Sequence, residues 1–338
     1  MHPEQIDAAA FPLGPFVRLA ENPIMRPSAA PHEATNVYNP AAIVRNEQVC
    51  LLYRAHGADL VSRICLAQSS DGIHFARRPE PVLFPTEAYE SRGCEDPRVA
   101  EVEGTYYLTY TAYDGEVAVL CLATSTDLVC WEKHGPLFPE FNTYALAKAP
   151  PRSMRRVPST WSKAGAILAT PINGRYLMYF GEGWVYYAWS EDLIHWVPGA
   201  ESAPVLSPDP GTFMADLVEV GPQPVITANG LILLVHNAAV YHNDGSVTYS
   251  CGQALFSPED PGAVVAKMVQ PWLGPQTYEE HHGLVPHVTF VEGLVNFGGS
   301  WIAYYGQSDT TIGAAVSPAG VRYGRTERTA SDLEVTKA

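Results

Sequence analysis

Short apolar runs in which aromatic and β-branched residues alternate with small or polar ones recur along the whole chain. Alternation of Val, Tyr, Thr and Trp at period two, bounded by Gly, Pro and Asn, is typical of β-strands. The clearest runs are VCLLYRA (49–55), GTYYLTYTAY (104–113), GRYLMYFGEG (174–183), LILLVHNAAV (231–240) and SWIAYYGQS (300–308). The pattern therefore predicts a protein built from many short strands.

A second pattern, built around an aspartate, recurs between these strands. Each copy begins with a small residue and Ser, continues through Asp to an aromatic residue and reaches an ending like VLFP. The clear copies span 66–85, 122–139 and 187–208 and contain Asp71, Asp127 and Asp192, and a weaker copy spans 254–275. Because Ser and Asp side chains bond turn amides, we expect these aspartates to cap turns rather than to act in catalysis. We expect the aromatic residue to fill the space between neighbouring sheets.

The repeat predicts the architecture as well as the strands. Its aspartates are 56 and 65 residues apart, a spacing that suits four-stranded units, and such repeated units are typical of β-propellers. Five units fit a chain of 338 residues. We therefore predict an all-β, five-bladed β-propeller that forms a single domain over residues 1–338. Its core is expected at about 16–325 and its active site in the central channel.

Composition and charge narrow the classes of partner. The chain has 36 acidic residues against 21 Lys and Arg, a formal net charge of −15. Nucleic-acid binders present a basic stripe, and the only local basic cluster is PPRSMRR at 150–156, so nucleic acid is not expected.

No run approaches 18 apolar residues and the first residues do not resemble a leader, which predicts a cytoplasmic protein without a membrane partner. The six cysteines lack CxxC spacing and are expected to be reduced and mostly buried.

Acidic groups at four predicted strand ends are the candidates for chemistry. They lie in GCEDPR (93–98), YFGEGW (179–184), DLVEVGPQP (216–224) and the region from EEHHG to YYGQSDTTIG (279–313). Glycosidase chemistry needs one protonated carboxylic acid and a second carboxylate, and strand ends around one channel could supply both.

Structural alternatives apply to the same residues. An Asp before Pro often only initiates a turn, and Arg98 could pair with Asp96. The EEHHG stretch lacks HxH or HxxH spacing, which favours a solvated or substrate-contacting loop over a zinc site.

The order of the motifs resembles glycoside hydrolase family 130. Between residues 20 and 316 the chain contains, in the family's order, ENPIMRP, NVYNPAAIV, LLYRAHG, SRICLAQSSDGIHF, GCEDPRV, STDLVCW, SEDLIHW, GLVPHVTF and YYGQSDTTIG. The resemblance implies a five-bladed β-propeller that acts on β-mannosides, with Asp96 of the EDPR motif as general acid. In the phosphorylases of that family, the resemblance further implies, the acid relays its proton through the 3-hydroxyl of the sugar.

The resemblance assigns further residues to the substrate. It places sugar-binding side chains at Asn36 or Asn39, Arg54, Arg63 and Asp309, and it retains Lys163 and His236 from the phosphate-binding pattern of the family's phosphorylases. Glu95 and Arg98, beside the acid, and His287, in the His-rich region, complete the predicted substrate-binding set.

The family divides into phosphorylases and hydrolases, and two glutamates bear on the choice. Phosphate binding needs converging cations, but Glu182 stands where the phosphorylase pattern has Arg, and Glu219 is near the position of a Lys. Carboxylates repel phosphate strongly in a low-dielectric pocket. The resemblance is then to the β-1,2-mannosidase branch, which predicts an inverting hydrolase that releases mannose from β-1,2-linked manno-oligosaccharides. Asp96 is its acid, and Glu182 and Glu219 share the role of base.

Several alternatives stay open. One is a β-mannoside phosphorylase that produces mannose 1-phosphate, and another is a non-catalytic carbohydrate-binding propeller. Glu182 could pair with Lys163 or with an arginine of the loop 149–163, and Glu219 could bond a turn amide. The arginines of that loop could bind phosphate, face solvent or contact a second copy of the chain, so a homo-oligomer also stays open.

No metal-ligand set is evident in the sequence, and general-acid chemistry of this kind needs none. We therefore predict that the protein works without a cofactor. Treatment with a chelator should leave turnover of β-mannosides unchanged, and loss of activity that a divalent ion restores would contradict this.

Overall fold

Each of the five alternating runs forms a strand in a different sheet, and the five sheets surround a central channel as the blades of a β-propeller. This confirms the predicted all-β, five-bladed fold. The structure is a computed structural model that describes residues 4–6, 11, 13–141, 162–199 and 203–317.

Strands dominate the described chain. In order they are β1 (Glu4–Ile6), β2 (Val17–Arg18), β3 (Asn36–Arg45), β4 (Gln48–His56), β5 (Arg63–Ser69), β6 (Ala76–Arg77), β7 (Gly93–Val102), β8 (Thr105–Tyr113), β9 (Ala118–Ser125), β10 (Glu132–Pro136), β11 (Ala166–Ile172), β12 (Arg175–Phe180), β13 (Glu182–Gly183), β14 (Tyr186–Ser190), β15 (Val197–Pro198), β16 (Leu217–Val220), β17 (Val225–Ile226), β18 (Ile232–Tyr241), β19 (Val247–Phe256), β20 (Val264–Met268), β21 (Thr289–Phe297), β22 (Ser300–Gln307) and β23 (Thr311–Val316). The helical segments are a one-turn α-helix, α1 (Tyr278–His281), and two 3-10 turns, Pro31–Glu33 and Ala88–Glu90.

The strands of each blade follow one another outward from the channel. Blade I is β3 to β6, blade II is β7 to β10, and blade III is β11, β12, β14 and β15. Blade IV is β13, β16, β18, β19, β20 and β1, with β17 also paired to β18, and blade V is β21, β22, β23 and β2.

The ring is closed by a strand from the amino-terminal part of the chain. β2 pairs with β23, so that Val17 lies opposite Val316 and Arg18 lies opposite Ala315. The Arg18 side chain also donates to the buried Glu280 carboxylate at 2.8 Å, just after α1 begins. Blade V therefore combines the two ends of the described propeller, which ties the first and last blades together.

The repeated aspartates cap turns, as predicted. Oδ1 of Asp192 accepts hydrogen bonds from the backbone N–H groups of Ile194 at 2.9 Å and His195 at 2.7 Å. Asp71 and Asp127 make the equivalent pair of bonds in blades I and II. In each copy the Ser hydroxyl two residues earlier donates to the carboxylate. These carboxylates thus satisfy local turn amides and lie outside the channel cavity described below.

The aromatic residue of each turn packs between two blades, which confirms that prediction too. Phe75 of blade I meets Tyr304 of blade V edge to face, with 5.8 Å between ring centroids. Trp131 packs against the core shared by blades I and II, and Trp196 lies in the core shared by blades II and III. The repeat therefore builds both the turn of a blade and the contact to its neighbour.

The structure also bears on the expectations for the cysteines and for membrane-spanning helices. All six cysteines are free, and five are buried, while Cys130 is exposed. Within the described ranges, no helix is long and apolar enough to cross a membrane. The domain bounds of 1–338 and the core at 16–325 stay predictions.

Replacement of Asp192 by Ala should lower the free energy of unfolding by about 1–2 kcal/mol, because two turn amides lose their acceptor. Urea unfolding followed by Trp fluorescence would measure this. Glu191→Ala, at the exposed neighbouring position, is the matched control. Equal stability of the two variants would show that the turn does not depend on the carboxylate.

Candidate active site

Three strands beside the channel bulge and place a polar residue at the bulge. In β3 this residue is Asn39, in β7 it is Asp96, and in β21 it is Glu292. Asn39 and Asp96 have φ angles of 48° and 47°, left-handed values that Asn and Asp tolerate better than most residues. Each precedes a proline, which fits at a bulge because it has no ladder N–H to donate. The bulges re-aim Asn39 and Asp96 toward the channel.

A cavity of about 170 Å³ lies where these strands meet. Its polar wall comes from all five blades or the segments that lead into them: Asn39, Arg54, Asp96, Lys163, Glu182, Glu219 and Asp309. Its other wall is mainly apolar and contains Tyr249, Val285, Val288 and Phe290. Such a cavity suits a sugar ring, whose hydroxyls bond the polar wall while its C–H faces pack on the apolar one.

Asp96 is the most firmly held carboxylate of the cavity. Its Oδ1 accepts hydrogen bonds from Nδ2 of Asn39 at 2.8 Å and Nη1 of Arg54 at 2.9 Å. Burial opposes ionisation of Asp96, but Arg54, Lys163 and Arg98 outweigh it and hold the pKa well below the usual range. Asp96 is therefore a carboxylate when the cavity holds no substrate.

Lys163 is the cation at the centre of the cavity. Its Nζ lies 3.4 Å from Oε1 of Glu182 and 3.8 Å from both Oε1 of Glu219 and Oδ2 of Asp96. Burial alone would lower the pKa of Lys163, but these carboxylates raise it above its usual value. The ammonium is therefore charged throughout the neutral range, with three anionic groups around it.

Glu182 and Glu219 are brought together by strand pairing within blade IV. They lie directly opposite each other in the register of β13 and β16. Burial raises the pKa of Glu219 to about 7, with Lys163 opposing and Glu182 adding to the rise. Glu219 is therefore partly protonated at neutral pH, so that the cavity can gain or lose a proton there at little cost.

Asp309, on another part of the cavity wall, is a second carboxyl group whose pKa is close to neutral pH. Burial raises the pKa of Asp309 to about 7, against the opposing effect of Arg54. Asp309 is held in place by Asn36, whose Nδ2 donates to the Asp309 carbonyl at 2.7 Å. The backbone of Asp309 is left-handed, with φ of 52°, which aims its side chain into the site.

Three predicted substrate-binding residues lie behind the wall rather than in it. Asn36 supports Asp309, as described. Glu95 accepts from Nη2 of Arg54 at 2.6 Å and from Ser62 at 3.0 Å. Arg98, which is fully buried, donates to the Asp96 carbonyl at 3.0 Å. Each contacts a residue of the cavity wall and none of the three is part of that wall, so their roles in substrate binding stay predictions.

Three others lie further away. His236 is fully buried and stacks on Phe213, and burial lowers its pKa to about 4, so the neutral ring adds no charge to the site. Arg63 pairs with Asp59 at 2.7 Å in a separate groove beside blade I, because consecutive strand residues face opposite sides and Ser62 takes the side toward Arg54. His287 bonds His281, with 2.8 Å between the Nδ1 atoms, next to the cavity residue Val288. Their roles in binding stay predictions.

At the site, sequence reasoning overlooked the buried acid Glu292 and the aromatic residues Tyr249 and Phe290 of the cavity wall. Glu292, in VTFVEG, is fully buried beside Arg98, and Tyr249 lines the cavity. A carboxylate inside an apolar strand run and just before Gly was the available signal for Glu292, and Glu182 in YFGEG shows the same pattern. The arginines of the loop 149–163, considered above for phosphate binding, lie outside the described residues.

One group of potential metal ligands occurs in the described ranges, formed by His32, Glu33 and Cys65. None of the three lines the central cavity. Glu33 already accepts bonds from Ser28 and Tyr53 and pairs with Arg77, so its oxygens are occupied. We therefore interpret these three residues as part of the packing of blade I rather than as a metal site.

The chain is similar to carbohydrate-active proteins over most of its length. The family model Glyco_hydro_130, described as beta-1,4-mannooligosaccharide phosphorylase, matches residues 15–320. A 1,2-beta-oligomannan phosphorylase of Thermoanaerobacter sp. (strain X514) is 33% identical over 313 residues, which is 88% of this chain and 96% of the relative. A beta-1,2-mannobiose phosphorylase of the same organism is 30% identical over 318 residues, covering 89% and 96%.

A solved structure with a TM-score of 0.80 is 32% identical and covers 94% of this chain and 97% of its own. It is described with the words "The GH130 family of mannoside phosphorylases contains glycoside hydrolases that target beta-1,2 mannosidic linkages in Candida mannan". The descriptions of proteins similar to this chain therefore name both phosphorylases and glycoside hydrolases.

The prediction of an inverting hydrolase is wrong, because the family description and the names of both relatives above are those of phosphorylases. The charge argument behind it took Glu182 and Glu219 as uncompensated. Lys163 in fact lies beside both, and a carboxyl with a pKa of about 7 can lose its charge when an anion approaches. What the two glutamates contribute to a reaction stays a prediction.

Replacement of Lys163 by Met should raise the pKa of Glu219 above about 7, because it removes the cation that stabilises the carboxylate. A titration of 13C-labelled glutamate carboxyls by NMR would measure this, with the Glu219 signal identified by its loss in Glu219→Gln. Lys267→Met is the matched control, since Lys267 is 12% exposed and Lys163 13%, and Lys267 pairs with Asp209 elsewhere. An unchanged midpoint in Lys163→Met would contradict the coupling.

Proposed function

Since this chain belongs to glycoside hydrolase family 130 and is an enzyme of that family, we propose that it is a β-mannoside phosphorylase. Its substrates are β-1,2-linked manno-oligosaccharides and inorganic phosphate, and its products are mannose 1-phosphate and the shortened oligosaccharide. The names of two relatives that match nearly the whole chain support the substrate and the reaction. The observation that carries the proposal within the site is the charged Lys163, 3.8 Å from the proposed acid Asp96.

The reaction needs one nucleophile and one proton donor. An oxygen of phosphate attacks the anomeric carbon of the terminal mannose while the bond from that carbon to the glycosidic oxygen breaks. The leaving oxygen takes up a proton that originates from Asp96. Lys163, and Arg54 on the other side of Asp96, are the cations of the described cavity wall that can hold the anion and the sugar in line.

Asp96 must gain a proton before it can act as the acid. In the free site Arg54 and Lys163 keep it ionised. When phosphate binds Lys163, the ammonium is shared with a new anion and negative charge is added close to Asp96. Both changes raise the affinity of Asp96 for a proton. Binding of the nucleophile therefore prepares the acid, which favours the order in which phosphate is present before bond cleavage.

Phosphate must also tolerate the carboxylates beside Lys163. Glu219 can take up a proton near neutral pH, since its pKa is about 7, and the protonated form can donate a hydrogen bond to a phosphate oxygen. Asp309, with a pKa of about 7 as well, gives the site a second carboxyl that adjusts its charge. The local charge of the cavity is therefore adaptable rather than fixed at the value that counting its acids suggests.

The remaining expectations carry over as parts of this proposal. The protein would act as a single propeller domain in the cytoplasm, without a cofactor and without a nucleic-acid or membrane partner. A homo-oligomer stays an alternative that follows from the sequence of the loop 149–163.

The deciding measurement is an incubation with β-1,2-mannobiose, with and without inorganic phosphate, in which mannose and mannose 1-phosphate are resolved. We expect mannose 1-phosphate that depends strictly on phosphate. Free mannose at equal rates in both buffers would overturn phosphorolysis.

Asp96→Asn, measured in the same assay, should lower kcat by roughly 10²–10⁴-fold, the usual contribution of a general acid. Asp114→Asn is the matched control in the same blade, because Asp114 caps an exposed turn through two backbone amides. A non-catalytic carbohydrate-binding propeller would instead show no turnover in the parent protein, with Asp96→Asn changing only the affinity for sugar.

A further inference from the structure

Arg98 occupies a buried position beneath the cavity where three blades meet. It comes from β7 of blade II, and its guanidinium donates to the carbonyl of Asp96 at 3.0 Å and to that of Val220 at 2.8 Å. Asp96 carries the proposed acid, and Val220 directly follows Glu219 in β16 of blade IV. A guanidinium that stays charged thus links the backbone of the acid to the backbone that carries Glu219.

Two carboxyl groups lie near the same end of this guanidinium. Nη2 of Arg98 is 2.7 Å from Oε1 of Glu292 and 3.8 Å from Oε1 of Glu219. The shorter distance is that of a close ion pair, whereas at the longer one the two charges are only loosely paired. Glu292 sits at the bulge of β21 in blade V and is fully buried, and this places its carboxyl group closer to Nη2 of Arg98 than that of Glu219.

We propose that Glu292 is a positioning residue that holds the guanidinium of Arg98 toward blade V and so leaves the Glu219 carboxyl facing Lys163 and the cavity. This inference rests on the proposed function, in which Glu219 borders the phosphate. Glu292 does not line the cavity and acts only through Arg98.

The ion pair between Arg98 and Glu292 affects the protonation of Glu219, because few other cations lie near Glu219 among the described residues. In the part of the chain that the structure describes, the charged or titratable groups that face Glu219 are Asp96 and Arg98 from β7, Lys163 before β11, Glu182 from β13, Tyr249 from β19 and Glu292 from β21. Of the two cations, Lys163 is shared with Glu182 and Asp96, and Arg98 is engaged by Glu292. Within the described residues Glu219 therefore shares both neighbouring cations, each 3.8 Å away, with other carboxyl groups, which favours its protonated form near neutral pH.

Loss of the Glu292 carboxyl group should leave Glu219 as the carboxyl group nearest to Nη2 of Arg98, which can then turn further toward it. A closer cation stabilises the ionised Glu219, so Glu219 would take up its proton at lower pH. Phosphate would then meet a fixed negative charge at neutral pH, and its KM should rise severalfold, while the KM for mannobiose changes little. The pH optimum of phosphorolysis should move to the acid side, where Glu219 is protonated again.

The test compares Glu292→Gln, which is nearly isosteric, with Glu292→Leu, which removes the polar contact altogether. The titration of 13C-labelled Glu219 is measured by NMR, and the KM values for phosphate and mannobiose are measured in parallel. We expect the Glu219 midpoint to fall in both variants, by about one pH unit in the Leu variant, since one unit reflects about a tenfold change in proton affinity. Glu33→Gln, which alters a buried glutamate paired with Arg77 in blade I, should leave the midpoint unchanged.

The two readouts separate this inference from the proposed reaction. An unchanged Glu219 midpoint in folded Glu292→Gln, or a midpoint that moves to higher pH, would overturn the positioning role whatever reaction the protein catalyses. A lowered midpoint in an enzyme that makes no mannose 1-phosphate would support the role of Glu292 and contradict the phosphorylase.

Discussion

The charge cluster around Lys163 is the constraint on which the rest of the site depends. A buried ammonium is costly unless anions compensate it, and Lys163 has three carboxylates within 3.8 Å. These come from blade II and from two strands of blade IV, whereas Lys163 precedes blade III. The cluster is therefore stable only when these blades stand in their native arrangement, and in turn it draws them toward the channel.

The propeller supplies that arrangement through local rules repeated around the ring. The Ser and Asp of each turn satisfy backbone amides, and the aromatic residue four positions after the Asp packs against the preceding blade. Closure of the ring by β2 and β23 prevents the blades from opening at one seam. Because these elements are rigid, the bulges of the inner strands can hold Asn39 and Asp96 in left-handed conformations that a mobile loop would relax.

Within the cavity the same kind of side chain differs in how readily it takes up a proton. Asp96, between Arg54 and Lys163, stays ionised far below neutrality, whereas burial brings the pKa of Asp309 and Glu219 to about 7. The difference follows from the number of close cations, since all three groups are buried. Such separation between carboxyl groups is the usual way in which one site obtains groups for different steps of a reaction.

The sequence by itself determined the strands, the turns and the number of blades, because these depend on neighbours along the chain. Period-two alternation predicts β4, β8, β12, β18 and β22, and the Ser and Asp spacing predicts capped turns. The EDPR motif also marked Asp96, which does face the cavity. Each of these inferences needs only a few consecutive residues and the geometry of a strand or turn.

Only the tertiary structure decided which side chains meet and what charge they carry. His236 and Arg63 have the residue types of a binding site, yet His236 is packed on Phe213 and Arg63 faces another groove. The sequence left open whether Glu182 pairs with Lys163, and it singled out neither the contact of Glu219 with Lys163 nor Glu292, because these partners lie in separate segments of the chain. Ionisation of a buried group depends on through-space distances of a few ångströms, and those distances arise only when the blades assemble.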